Sequence, residues 1–312
     1  MRTAIIAGGN GLIGRALAAE LAAARIPVLV LGTSEKIHNR LRELKNTDID
    51  YYQVPREEDW LEKTIHAIGN KGVSDESVFF NLAWRGKEKL VDGCIADQMR
   101  NVGHSCELVK LAKRVGSKKY VASGSMEEVV IDRLINGNLW LNGNQATNPN
   151  WYGLAKMSAK MQSEFEAYQQ KIDFCYARIS IVINKSLQTH KYVEQSLKDL
   201  VRDPELPIPK NKEMCNISSS DEIARQLVAI GKYGLNKRVY ILGTGEVASL
   251  YEHFAKFARI AHPNLNVLTS DYNPDINLLK KNDFETKYLV EDTGYKPRES
   301  VESLYYEIVG SL

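Results

Sequence analysis

The stretch TAIIAGGNGLIGRALAAELAAAR, residues 3–25, constrains the fold of this chain more than any other. A short apolar run ends in Gly8, and Ala and Leu then recur at helical spacing from Leu12 onward. The run reads as a buried parallel strand and the rest as the helix packed on it. Between them Gly8, Gly11 and Gly14 form G-x-x-G-x-x-G. One glycine permits the tight turn, one lets a pyrophosphate approach the backbone, and one lets helix and strand pack closely. The helix N-terminus then presents unpaired N–H groups to phosphate. A plain strand–helix turn needs no such set, so Gly8, Asn10, Gly11, Leu12, Ile13 and Gly14 are expected to cradle a dinucleotide.

The rest of the chain repeats the strand–helix alternation. Apolar runs at IPVLVLG, IDYYQV, SVFFNLAW, KKYVASGS and DFCYARISIVI are separated by helical segments, among them SEKIHNRLRELKN, DQMRNVGHSCELVKLAKRVG and YGLAKMSAKMQSEFEAYQQK. That order predicts an α/β fold of the Rossmann type, a doubly wound parallel sheet with helices on both faces. After about residue 183 the texture changes. VRDPELPIPKNKEMC reads as a loop, SSSDEIARQLVAIGKYG as a helix opened by a Ser/Asp cap, and RVYILGTG as one more strand. The C-terminal stretch TGYKPRESVESLYYEIVGSL reads as a loop and an amphipathic helix.

Charge and composition exclude several classes. The 312 residues carry 41 Lys and Arg against 39 Asp and Glu, a formal net charge of +2. That balance gives no reason to expect a nucleic-acid or membrane partner. No apolar run approaches membrane-spanning length and no signal peptide is recognisable, so a cytoplasmic location is expected. Cys94, Cys106, Cys175 and Cys215 form no C-x-x-C pair, and the six histidines show no ligand spacing, so reduced thiols and no metal are expected.

The end of the second strand bears on cofactor choice. An acidic residue there would take the adenosine ribose hydroxyls of NAD. This chain has Gly32, Thr33 and Ser34 instead, with Glu35 late and Lys36 and Arg40 following. Thr33, Ser34, Lys36 or Arg40 would then meet a 2′-phosphate, which favours NADP(H) and leaves NAD(H) possible. Lys36 and Arg40 equally fit a solvated helix face.

Tyr152 and Lys156 stand four residues apart, on one helix face with Cβ atoms about 5–6 Å apart. Ser123 and Ser125 end the fifth strand, where open parallel sheets present residues to the ligand. Together with the glycine turn, NLAW at residues 81–84 and Asn101, these residues resemble the extended short-chain dehydrogenase/reductases. Within them, the chain is similar to the NAD-dependent epimerase/dehydratase family acting on nucleotide sugars. The resemblance implies Tyr152 as general acid/base, Lys156 as holder of the nicotinamide ribose, and Ser125 as hydrogen-bond partner of the reacting oxygen. A free tyrosine titrates near about 10, and a nearby cation lowers that value. The resemblance also implies that Leu82, Ala83, Ser123, Ser180 and Ile181 line the cofactor, and that Trp84, Arg85, Ser125, Met126 and Glu127 face the substrate. Trp151 either walls that pocket or fills the core.

Two departures from the family pattern touch the rim of the site: Asn81 where many relatives have His, and Val129-Val130 where many have Tyr-Gly. A 4,6-dehydratase would need an acidic pair after the catalytic hydroxyl, and Met126 precedes Glu127 here. Glu127 and Glu128 equally fit a loop or helix start facing water. The resemblance therefore implies reduction of a nucleotide-linked 4-keto-6-deoxy sugar. A 4-epimerase or 4,6-dehydratase with tightly held NAD is the alternative, and a non-catalytic NADP(H) sensor or scaffold the third. It further implies a Rossmann domain over 1–183, joined again by 211–245, and a substrate lobe from 184–210 and 246–312. Asn184, Lys185, Arg202, Lys210, Lys212 and Arg298 are candidates for the nucleotide, and each equally fits a solvated surface group. The helices near 92–115 and 152–170 resemble a pair that builds a homodimer.

Overall fold

The computed structural model describes residues 1–35, 41, 49–69, 76–86, 94–137, 149–189, 191–209, 213–264 and 278–312. In chain order its elements are β1 (Thr3–Ala7), α1 (Leu12–Ala23), β2 (Val28–Gly32), β3 (Ile49–Gln53), α2 (Trp60–Gly69), β4 (Ser77–Asn81), α3 (Ile95–Arg114), β5 (Lys119–Ser125), α4 (Glu127–Asn136), α5 (Pro149–Gln170) and β6 (Asp173–Ile179). They continue with β7 (Ile181–Ile183), α6 (Tyr192–Arg202), β8 (Met214–Cys215), β9 (Ile217–Ser219), α7 (Ser220–Tyr233), β10 (Arg238–Leu242), β11 (Ala248–Ser249), α8 (Leu250–Ala261), a 3-10 turn (Lys281–Phe284), α9 (Lys287–Thr293) and α10 (Val301–Ser311). The helix expected at SEKIHNRLRELKN lies almost entirely outside the described residues.

Seven strands form one parallel sheet in the order β3-β2-β1-β4-β5-β6-β10. Its strands are apolar on both faces because both faces are covered. Ile6, Leu17, Val30, Phe80 and Leu227 pack on one side, while Ile5, Leu29, Phe79, Tyr120 and Phe174 pack on the other. The chain runs outward from β1 through β2 to β3, then crosses to β4 on the opposite side of β1. Ligands bind such sheets at this reversal, beyond the C-terminal ends of the strands.

The run DFCYARISIVI, which reads as a single strand, breaks at Ser180. β6 stays in the main sheet, while β7 pairs in parallel with β9. The Ser180 hydroxyl accepts the Asn216 N–H at 3.2 Å, and the Ile181 N–H donates to the Asn216 carbonyl at 3.1 Å. Those bonds lead the chain out of the sheet into a second core of Ile183, Leu197, Ile217, Phe254, Phe257, Leu304 and Tyr305. Arg133 of α4 ties the 3-10 turn back with two bonds to Asp283, both 2.7 Å. Among the described residues no helix is long and apolar enough to cross a membrane, and no cluster of three His, Cys, Asp or Glu is placed to hold a metal.

Candidate active site

The glycine turn lies at the reversal of the sheet. Gly8 has φ +81°, and a Cβ there would stand 2.7 Å from the backbone of Leu82 and Ala83 at the end of β4. A Cβ on Gly14 would stand 2.5 Å from the Gly8 carbonyl oxygen, so α1 could not approach the turn. The Gly11 N–H closes the turn on the Gly8 carbonyl at 3.0 Å. Gly11 then caps α1 without any side-chain hydrogen bond, and the first turn of α1 holds no acidic residue. No side chain competes there for the helix N-terminus, so the site fits an anion such as a diphosphate. Asn10 is held beside it, its carbonyl accepting from Arg15 at 2.6 Å.

Beyond β2, Gly32 and Thr33 are half-buried and Ser34 is exposed. Two residues that sequence reasoning missed converge on them. The Tyr51 hydroxyl donates to the Ser34 carbonyl at 2.6 Å, and Arg56 donates to the Thr33 carbonyl at 3.3 Å. The available signal was the parallel pairing of β2 with β3, which sets the chain after β3 alongside the chain after β2. Lys36 and Arg40 lie outside the described residues.

The strand β5 delivers Ser123 and Ser125, and α5 delivers Tyr152 and Lys156. The Ser125 and Tyr152 hydroxyls are hydrogen-bonded to each other. Ser125 also accepts the Glu127 N–H at 3.3 Å. Lys156 is 5% exposed, and its ammonium donates to the Ser123 carbonyl at 3.0 Å. It lies 4.0 Å from the Trp84 ring centroid and 6.0 Å from that of Tyr152.

Burial pushes the Tyr152 hydroxyl well above its ordinary value. The bond to Ser125 pulls it partly back, and Glu128 and Glu127 push it further up. The sequence pointed the other way, to a hydroxyl lowered by Lys156. The difference is physical: desolvation outweighs the hydrogen bond, and the ammonium is turned toward the Ser123 carbonyl and the Trp84 ring.

The acidic pair does not simply face water. Glu127 is half-buried, and burial, then Glu213, push its carboxyl up to about 7. Glu128 is 1% exposed. It accepts the Ser125 N–H and the Tyr176 hydroxyl, both at 2.7 Å, and pairs with Arg178 at 3.3 Å. Met126 is buried against Met214 and Phe284. Asn81 shapes the rim: its amide donates to the Tyr120 hydroxyl at 2.7 Å, and its carbonyl accepts the Ala83 N–H at 3.1 Å. Trp151 is exposed.

Four of the nucleotide candidates fall among the described residues. Lys185 is committed to Glu307 at 2.7 Å and Glu299 at 3.3 Å. Asn184 is buried and holds the Ser186 hydroxyl at 2.7 Å. Arg298 stacks on the Tyr295 ring at 5.4 Å, and Arg202 is exposed. Lys210 and Lys212 lie outside the described residues. What converges is a pair of bonded hydroxyls beside a buried ammonium, an arrangement able to grip a carbonyl or alcohol oxygen and move its proton.

Comparison with known proteins agrees with this architecture. The model of the NAD dependent epimerase/dehydratase family matches residues 4–205. No curated protein matches the chain significantly. The UDP-glucose 4-epimerase of Thermotoga maritima, solved with UDP-glucose, superposes with a TM-score of 0.72 at 16% identity, covering 99% of this chain and 98% of that one. The dTDP-glucose 4,6-dehydratase of Bacillus anthracis, solved with NAD, gives 0.73 at 15% identity over 100% and 96%. The UDP-N-acetylglucosamine 4-epimerase of Methanobrevibacter ruminantium gives 0.71 at 17% over 99% and 97%.

Proposed function

The chain is an enzyme of the NAD dependent epimerase/dehydratase family, and from that premise we propose that it reduces a nucleotide-linked 4-keto-6-deoxy sugar with NADPH. The observation that carries this reading is Met126. Where a dehydratase would place an acid beside the catalytic hydroxyl, this chain buries a thioether among Met214 and Phe284. The bonded Ser125 and Tyr152 hydroxyls then suffice for the simplest chemistry, proton delivery to one carbonyl oxygen.

The uncapped N-terminus of α1 would hold the diphosphate of the cofactor, and Lys156 its ribose. Bound there, the nicotinamide supplies the hydride. Ser125 donates a hydrogen bond to the carbonyl oxygen, and Tyr152 transfers its proton as that oxygen becomes an alcohol. The Lys156 ammonium stabilises the phenolate left behind until solvent reprotonates it. Tyr152 keeps its proton at neutral pH, and because burial makes that proton harder to give up, its transfer depends on the ammonium that stabilises the phenolate.

NADPH is favoured over NADH by the turn after β2, where Thr33, Ser34 and Arg56 meet. Replacing Arg56 with Ala is expected to raise the KM for NADPH by roughly tenfold or more, the worth of a charged hydrogen bond, and to leave that for NADH unchanged. Steady-state kinetics with both cofactors measure it; equal effects on the two would remove Arg56 from the phosphate.

A second reading, a 4-epimerase using tightly held NAD, draws support from the 4-epimerases that share this fold over nearly the whole chain. The two are separated by offering dTDP-, GDP-, UDP- and CDP-linked 4-keto-6-deoxyhexoses with NADPH or NADH. Cofactor consumption supports the reductase. Interconversion of two sugar nucleotides without net consumption supports the epimerase.

The same reading includes a two-fold homodimer through α3 and α5. Met161, Phe165 and Tyr168 form an exposed stripe on α5, with Ile95 and Met99 exposed on α3. Burying each such side chain contributes about 1.5–3 kcal/mol, and a two-fold axis counts each one twice. Phe165→Glu is expected to yield monomers in sedimentation velocity. A native chain already monomeric at micromolar concentration would defeat the dimer.

A further inference from the structure

We propose that Trp84 is a positioning residue of the proton relay, its indole holding the Lys156 ammonium charged and in place beside Tyr152. The proposal rests on the reading of Tyr152 and Lys156 given above.

Trp84 is launched from a rigid segment. The Leu82 N–H donates to the Ala7 carbonyl at 2.9 Å, and the Ala83 N–H to Asn81 at 3.1 Å. On the far side, Asn101 grips Arg85 twice, accepting its N–H at 2.8 Å and donating to its carbonyl at 3.0 Å. The indole N–H donates to the buried Gln98 side chain at 3.1 Å. Val102, Ala155 and Ala159 pack against the ring. It meets Tyr152 edge-on, with centroids 5.8 Å apart and planes at 84°. One indole thus touches both members of the relay, and its tether fixes the face it offers to the Lys156 ammonium at 4.0 Å.

A nearly buried ammonium has lost most of its water and tends to shed its proton. The electron-rich face of an indole offsets that loss, and does so most strongly where water is excluded. The Ser123 carbonyl supplies a further fixed partner, at 3.0 Å. Two such partners define where the positive charge sits relative to the Tyr152 hydroxyl, and therefore how strongly a phenolate is stabilised there. Phenylalanine at this position keeps a ring face but loses the tether. Leucine keeps apolar bulk and loses both.

The test has two parts. With 5-fluorotryptophan in place of the four tryptophans, Trp84→Phe identifies the Trp84 fluorine resonance. Lys156→Met is expected to shift that resonance and leave the Trp60 resonance in place; no shift overturns the contact. In kinetics, Trp84→Leu is expected to lower kcat on the order of tenfold and to move its pH profile, with the sugar-nucleotide KM within about threefold. Trp84→Phe is expected to recover most of the loss. If Trp84→Leu does not fold, Gln98→Met, which removes the tether, is expected to move the fluorine resonance and lower kcat by about threefold. Wild-type kcat and pH profile in Trp84→Leu, or in the folded substitute, overturn the proposal. Should the wild-type enzyme turn over no keto-sugar nucleotide, the functional reading fails, and the fluorine shift still decides the contact by itself.

Discussion

Tyr152→Phe is expected to lower turnover by about 10²–10⁴-fold, with cofactor and sugar-nucleotide binding changed only a few-fold. The substitution keeps the ring and so keeps the edge contact with Trp84 at 5.8 Å. What it removes is one hydroxyl, bonded to Ser125 and held protonated by burial. Loss of kcat with little change in KM is the signature of a group that acts in the transition state. Single-turnover measurement of NADPH oxidation by the variant checks it. More than a tenth of wild-type turnover would mean that the proton arrives from elsewhere. Glu127, whose carboxyl burial pushes up to about 7, is then the donor to test, with Tyr152→Phe/Glu127→Gln as the variant.

Glu128→Leu is expected to destabilise the protein by about 3–5 kcal/mol, the cost of stripping one partner from a buried charged network. The carboxylate is the shared acceptor for the Ser125 N–H, the Tyr176 hydroxyl and the Arg178 guanidinium. Leucine leaves all three donors without it, and the Tyr176 hydroxyl among them is buried. Glu128→Gln keeps one carbonyl oxygen and loses the charge opposite Arg178, so its cost is expected to be smaller. Urea denaturation measures both, and a Glu128→Leu midpoint equal to wild type would show that the network is replaceable. Activity is expected to fall as well, because Glu128 fixes the backbone from which the Ser125 hydroxyl projects.

The sheet was readable because its strands are continuous apolar runs, and such runs arise when helices cover both faces. The break at Ser180 was not readable. Nothing in DFCYARISIVI marks it, and it exists because Asn216, 36 residues on, takes the chain into a second sheet. Ser125, Tyr152 and Lys156 were singled out by the family resemblance, since Tyr-x-x-x-Lys alone fits an ordinary helix face, and β5 and α5 carry them to one region of the structure. Glu128 did not stand out, because a carboxylate at a helix start ordinarily faces water. Its role depends on Tyr176 and Arg178, which arrive from a strand about 50 residues later.

By itself, then, the sequence determined the parallel sheet and the glycine turn, and with the family resemblance it singled out the hydroxyl and ammonium residues. These rest on local constraints: two-sided burial of strands, glycine where no Cβ fits, and side chains four residues apart on one helix. Only the tertiary structure decided the state of those groups. Burial, not the nearby lysine, sets the Tyr152 hydroxyl, and the Trp84 ring and Ser123 carbonyl set the position of the ammonium. Desolvation and cation–ring contact depend on what packs against a group from distant elements, and no spacing along the chain encodes that.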